Sequence, residues 1–383
     1  MFWKRRIYLD NAAGVTPNPS SPHEEGRRAK KMLEDARVII ARLVEVQPDD
    51  VIFTSGATES NALAILGHVR ALPAYQQAGD AAERKDIHIL YLPSAHASIV
   101  ENAKMLSAEG VRVDTLPVKD YRIDIEALKK MLTPETALIS MEAVCGETGV
   151  VWNTREVRRV LDEAQLAFNS HILLHVDASQ APLTEKITRA HFAADMLTLD
   201  ASKVSIVRGT GALIAHRTIP MVPLYAGGGQ ERGLRSGSEA PELARSFAAA
   251  VAAAVLEREN FRASAERDRA NLINMITAGI PNVQVQEGHF QAPHILNLSL
   301  PGHDTDYLVA LLDEAGFAVS SRSACETDSE VGSRAVLILT SDPERACATL
   351  RMSWGPGVPT RAFTRFARAL TKAVAFIDSD GRR

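Results

Sequence analysis

Ile172-Leu173-Leu174-His175-Val176-Asp177-Ala178-Ser179-Gln180 is an apolar run that ends on a carboxylate and then turns polar. A short apolar run of this kind reads as a strand buried on both faces, with Asp177 at its carboxyl end. Working outward, similar runs recur at 51–53, 87–92, 137–141, 196–199 and 211–215. Helical patterns at 58–72, 98–108, 126–132 and 155–167 separate the earlier ones, after an amphipathic stretch at 24–43. This strand–helix alternation predicts an α/β fold: a mostly parallel sheet covered by helices on both faces.

Beyond residue 215 a Gly-rich loop, GGGQERGLRSGS at 227–238, precedes an Ala-rich helix at 241–277. The remainder reads as α+β, with strands near 293–300, 317–320 and 348–353 and helices near 304–315 and 360–378. The expected division is a large α/β domain at 16–255 and a smaller α+β domain built from 1–15 and 256–383. The polar segment 73–85 reads as a surface loop.

The chain has 383 residues, 46% of them hydrophobic, enough for a large core. A net charge of −4 gives no general attraction to nucleic acid or to an anionic membrane. No apolar run approaches the roughly 20 residues of a membrane helix. The start, MFWKRRIYLDNAAG, lacks the apolar stretch of a secretory signal. Three cysteines, Cys145, Cys325 and Cys347, form no paired spacing, which points to a reducing, cytoplasmic setting. No metal site is expected.

Open sheets of this type bind ligands at the carboxyl ends of their strands, so the residues after each run carry the functional reading. Thr54-Ser55-Gly56-Ala57-Thr58 opens a helix and suits an anion, though a Thr or Ser there also makes an ordinary cap. His96 after the second run is a loop residue or a ring that stacks on a planar ligand. An isolated buried carboxylate is too costly to desolvate, so Asp177 pairs with an arginine, caps a helix, or meets a protonated ring nitrogen. Lys203, in Asp200-Ala201-Ser202-Lys203, is a surface residue or a Schiff-base lysine. Cys325 is an inert thiol or, in its small, polar surroundings, a reactive one. Arg351, on an otherwise apolar strand, holds a structural salt bridge or the carboxylate of a ligand. An anion site, an acid and a lysine at successive strand ends match the phosphate, ring nitrogen and aldehyde carbon of pyridoxal 5′-phosphate.

On these residues the chain resembles the class-V, fold-type-I pyridoxal-phosphate enzymes, and among them the cysteine desulfurases. The likeness runs in order through YLDNAA at 8–13, TSGATESN at 54–61, HVDASQ at 175–180, Lys203, GGGQERGLRSG at 227–237, SSRSAC at 320–325 and LRMSWG at 350–355. The resemblance implies that L-cysteine is converted to L-alanine and that Cys325 takes the sulfur as a persulfide; the alternatives beside it are a selenocysteine lyase or other β-eliminating lyase of the same fold, and a cofactor-poor, non-catalytic scaffold. It makes Lys203, Cys325 and His96 the catalytic set, with Lys203 holding the cofactor and moving protons and His96 stacked on the ring. It places Asp177 at the ring nitrogen, Gln180 at the ring oxygen, and Ala57, Thr58 and Ser202 at the phosphate. Ser238 would reach the phosphate of a second copy, which implies a homodimer with shared sites. Asn11 and Arg351 would bind substrate. A sulfur acceptor or scaffold protein is the implied partner. The long spacing from Cys325 to Arg351 resembles the group with a long loop.

Four places depart from that pattern. Cys145 and Gly146 stand where relatives commonly carry Asn, Asp200-Ala201-Ser202 where they read Ser-Gly-His, and Arg322 where they have Gly. An acid at 200 would repel a phosphate unless it is turned away or balanced, for example by Arg235. Cys145 and Cys347 are expected to be buried structural thiols.

Overall fold

The computed structural model describes residues 7–79, 83–321 and 332–380. Seven strands form the main sheet: β1 (Val51–Thr54), β2 (His88–Tyr91), β3 (Arg112–Thr115), β6 (Thr136–Glu142), β7 (Leu173–Asp177), β8 (Met196–Asp200) and β9 (Gly211–Ala215). Their spatial order is β1-β9-β8-β7-β6-β2-β3. A two-stranded hairpin, β4 (Val118–Lys119) with β5 (Arg122–Ile123), stands apart. Neighbours from β3 through β8 run parallel, and β9 runs antiparallel to both β8 and β1. The connection from β8 to β9 is too short for the helical crossover that parallel neighbours need, whereas β6 and β7 are joined through helix Thr154–Phe168. The fold expectation is met: α/β, with a mostly parallel sheet.

Helices cover the sheet because their apolar positions recur on one face. In helix Glu24–Val44 that face is Ala29, Leu33, Ala36, Ile40 and Val44, all buried. The main core joins these to Ile52, Ile89, Ile139, Leu174, Leu197 and Leu213 of the sheet. A second core lies around β10 (Gln284–Gln286), β11 (Ile295–Ser299) and β12 (Thr349–Ser353), where Leu296, Leu298, Leu350 and Met352 meet Leu308, Leu370 and Ile377. The 39-residue helix Pro241–Gly279 belongs to both: Phe247 and Val251 enter the first core, Leu272 and Ile276 the second. No helix among the described residues is long and apolar enough to cross a membrane.

Two expectations change. The 317–320 strand is a single bridge, Ser320 to Arg351, and the segment expected as a loop carries short helical turns at Pro73–Gln77 and Glu83–Asp86. Proline at the first helical position explains the former turn, because its fixed φ suits a helix start.

The Gly-rich loop is fastened by charge. Glu231 and Arg232 both take positive φ, at 46° and 61°, which turns the Glu231 side chain inward. Its carboxylate accepts from Arg37 Nη1 and Nη2 at 2.8 and 2.7 Å and from the Phe53 amide at 2.8 Å. Arg37 also donates to the Val51 carbonyl at 2.7 Å. This buried fork ties the loop to β1 and to helix Glu24–Val44. Removing one partner would strand a buried charge, so Glu231→Ala should lose about 3–5 kcal/mol in urea unfolding. A loss under about 1 kcal/mol would mean that the pair behaves like an exposed one.

Candidate active site

Three adjacent parallel strands end in an acid: β6 in Glu142, β7 in Asp177 and β8 in Asp200. Glu142 and Asp177 are direct register partners. Asp177, only 7% exposed, is met by hydrogen bonds. Asn61 Nδ2 donates to its Oδ2 at 2.7 Å, and the Ser179 amide to its Oδ1 at 2.9 Å. Asn61 also donates to Ser98 Oγ at 2.9 Å, and that hydroxyl lies 2.8 Å from His96 Nδ1. Of the readings open for Asp177, neither an arginine pair nor a helix cap occurs among the described residues.

Glu142 went unread in the sequence, although it carried the same signal as Asp177, an acid closing a buried run. Its Oε2 accepts from the His96 amide at 3.2 Å, while its buried Oε1 has no hydrogen-bond partner among the described residues. Burial and the neighbouring Asp177 charge push its carboxyl up to about 8, and the nearby Cys145 thiol and Arg334 guanidinium offset this only in part. Burial beside Asp177 therefore favours the protonated form of Glu142. Cys145 is buried beside it, and burial with the Glu142 and Glu147 carboxyls pushes its thiol far upward. A thiol so raised is a poor nucleophile.

Asp200 joins two elements. Its Oδ2 accepts from the Ala57 amide at 2.8 Å, at the start of helix Ala57–Ala62. Its Oδ1 accepts from the Ser202 amide at 2.7 Å and the Ser202 hydroxyl at 2.6 Å. Gly56 before that helix has φ +145°, which favours glycine, and a Cβ there would lie 3.2 Å from Asp200 Oδ2. Lys203 closes the 3₁₀ turn Ala201–Lys203 that Asp200 caps; it is exposed and makes no ion pair with a described residue. Thr58 and Ser202 are exposed. Arg235, the expected balance for Asp200, instead lies 3.4 Å from Glu59, which also accepts from Tyr225 Oη at 2.6 Å.

His96 caps helix Ala97–Ala108 through Nδ1, which fixes its ring at the carboxyl end of β2. Gln180 fills the place of a side chain at 146: a Cβ on Gly146 would lie 2.8 Å from Gln180 Nε2. Arg351 crosses from β12 to the same spot. It donates to the Gly146 carbonyl at 3.2 Å and to Ser320 Oγ at 3.3 Å, with no carboxylate partner among the described residues. The salt-bridge reading of Arg351 thus fails there. Asn11 and Ser238 are exposed, and no hydrogen bond among the described residues ties them to this cluster. Cys325 and Arg322 lie outside the described residues. Cys347, expected to be buried, is exposed at the end of the short helix Pro343–Cys347.

A mixed sheet with acids and a lysine at its strand ends, joined by a smaller α+β part, defines a fold-type-I enzyme of the pyridoxal-phosphate kind. The chain belongs to the class-V aminotransferase family, whose profile matches residues 6–355. It is 31% identical to cysteine desulfurase IscS 1 of Archaeoglobus fulgidus over 88% of this chain and 84% of that one. A solved NifS-like protein superposes with a TM-score of 0.83 at 25% identity, covering 94% of this chain and 92% of the other. A structure described as SspA in complex with cysteine superposes with a TM-score of 0.72 at 26% identity, covering 91% and 93%.

The raised carboxyl of Glu142 fixes the sign of a pH effect. Its carboxyl, raised in the fold to about 8 from the ordinary 4.5, holds a proton that the unfolded chain releases. Stability from this group is therefore lost as pH rises from about 4.5 to about 8. Glu142→Gln should remove that slope and gain about 1–3 kcal/mol over the parent at about pH 9 in urea unfolding. An unchanged slope would mean that Glu142 is ionised in the fold.

Proposed function

We propose that this chain is a cysteine desulfurase, converting L-cysteine to L-alanine and passing the sulfur, as a persulfide on Cys325, to an acceptor protein that builds iron–sulfur clusters or thio-cofactors. The observation that carries this reading is Arg351. Its guanidinium is brought from the small sheet to Gly146, beside Gln180, and bonds only neutral acceptors among the described residues. An α-carboxylate is the planar anion that such a fork takes.

The donor set suits pyridoxal 5′-phosphate. The Ala57 and Ser202 donors already hold an oxyanion, the Asp200 carboxylate, which marks an anion cradle. Lys203 would hold the cofactor through its amine, with Asp177 at the ring nitrogen, Gln180 at the ring oxygen and His96 against the ring. Ala57, Thr58 and Ser202 would face the phosphate. A homodimer would add Ser238 of a second copy, and Leu9 and Ile206, 90% and 100% exposed, favour a covered face. A reducing cytoplasm suits a thiol-based carrier.

When bound, the cofactor supplies an electron sink for the pair left on the substrate α-carbon. Arg351 and Asn11 orient the substrate carboxylate, and the Lys203 amine removes the Cα proton as general base. The Cys325 thiolate then forms an S–S bond as the substrate C–S bond breaks, with the electron pair of that bond staying on carbon. Lys203 returns to the α-carbon the proton it took, and the proton shed by the Cys325 thiol ends on the β-carbon, which becomes the methyl group of alanine. Cysteine and one enzyme thiol thus give alanine and one persulfide, with no external oxidant.

Purified protein supplied with the cofactor, L-cysteine and a mild thiol should release sulfide and alanine in equal amounts. Lys203→Ala and Cys325→Ala should each lower both by about two orders of magnitude or more. Sulfide that persists in Cys325→Ala would instead indicate a lyase that eliminates sulfur or selenium without a persulfide. No turnover in the parent protein would overturn the reading.

A further inference from the structure

We propose that Asp200 is a built-in competitor of the cofactor phosphate, which makes this chain a poor discriminator between pyridoxal 5′-phosphate and its phosphate-free form, pyridoxal. The inference rests on the cofactor placement given above, and it concerns one residue of this chain. Three donors converge on the Asp200 carboxylate: the Ala57 amide at 2.8 Å, the Ser202 amide at 2.7 Å and the Ser202 hydroxyl at 2.6 Å. Two come from the turn that carries Lys203. The third opens a helical stretch that runs on from Ala57–Ala62 through the π-turn Leu63–Gly67 to His68–Ala71. These are the groups that an oxyanion seated between Lys203 and that helix would use. One carboxylate oxygen takes the helix amide and the other takes the turn, so the cradle is bridged from both sides.

Arg235 does not offset the Asp200 charge. Glu59, two residues into the same helix, accepts from the Ser55 amide and from Tyr225, and Arg235 lies 3.4 Å from it rather than from Asp200. A phosphate dianion in the cradle would therefore meet the Asp200 carboxylate. It gains the three donors only by displacing Asp200. The ring end of the cofactor faces no such rival, because Asp177, Gln180 and His96 are reached without the cradle. Affinity then comes mainly from the ring and the aldehyde, which both forms share. Asp200 is on this account a specificity-determining residue, in addition to capping the Lys203 turn.

The test uses full-length protein freed of cofactor, as the parent, Asp200→Ser and Asp200→Asn. Each is titrated by absorbance with pyridoxal 5′-phosphate and with pyridoxal, and each is melted with and without inorganic phosphate. The preference for the phosphorylated form, expressed as the ratio of the two dissociation constants, should rise at least tenfold in Asp200→Ser. Inorganic phosphate should raise the melting temperature of Asp200→Ser and leave that of the parent unmoved. Asp200→Asn keeps an acceptor for the capping amides without the charge, and should show the same shifts in smaller degree should the serine variant fold poorly. An unchanged ratio together with no phosphate-dependent shift in either variant would overturn the proposal and leave Asp200 as a structural cap alone. The melting arm needs neither cofactor nor turnover. A chain that binds phosphate only without Asp200, yet makes no alanine, would uphold this inference and defeat the desulfurase reading.

Discussion

Two carboxyl groups, Glu142 and Asp177, stand side by side at the ends of adjacent parallel strands, and much of the polar structure around them exists to make that arrangement tolerable. Like charges at that spacing in a buried place repel strongly, and each must be neutralised or hydrogen-bonded. The chain divides the task. Burial favours the protonated form of Glu142, and Asp177 is held by Asn61 and the Ser179 amide. Asn61 then couples the Asp177 carboxylate through Ser98 to the cap of the helix that starts after His96. The acid, the imidazole and the first turn of that helix are thereby fixed as one unit.

Asp200 extends the same theme to a third strand by a different means. Its charge is satisfied by amide and hydroxyl donors instead of by a proton or a side-chain amide. The bond to Ala57 also sets how the Lys203 turn sits against the helix that opens at residue 57. Across the site, Arg351 closes the cluster from the small sheet by bonding the Gly146 carbonyl. The absence of a side chain at 146 matters twice over: it admits the Gln180 amide and leaves the adjoining backbone carbonyl to the arginine. Substitutions that look damaging in a motif are compatible here with a packed and hydrogen-bonded site.

The sheet was legible because six of its seven strands are apolar runs. The seventh, β3, reads RVDT and is largely exposed at the sheet edge, so no apolar run announces it. Helices Arg334–Thr340 and Pro343–Cys347 escaped notice because they are only seven and five residues long, too short for a helical period to stand out. Asp177, Lys203 and Arg351 could be picked out since a charged residue closing or interrupting an apolar run demands a partner. The partners themselves could not: Asn61 lies 116 residues from Asp177, and Ala57 lies 143 from Asp200. Arg235 illustrates the limit. Charge alone suggested that it balances Asp200, and only geometry shows it beside Glu59.

The central claim is that the strand ends assemble a cofactor site around Lys203, and borohydride trapping tests it most directly. Protein loaded with pyridoxal 5′-phosphate is reduced, digested and mapped by mass. The account predicts that the added cofactor mass falls on the peptide containing Lys203 and disappears in Lys203→Ala. Labelling spread over several surface lysines, or none on that peptide, would contradict it.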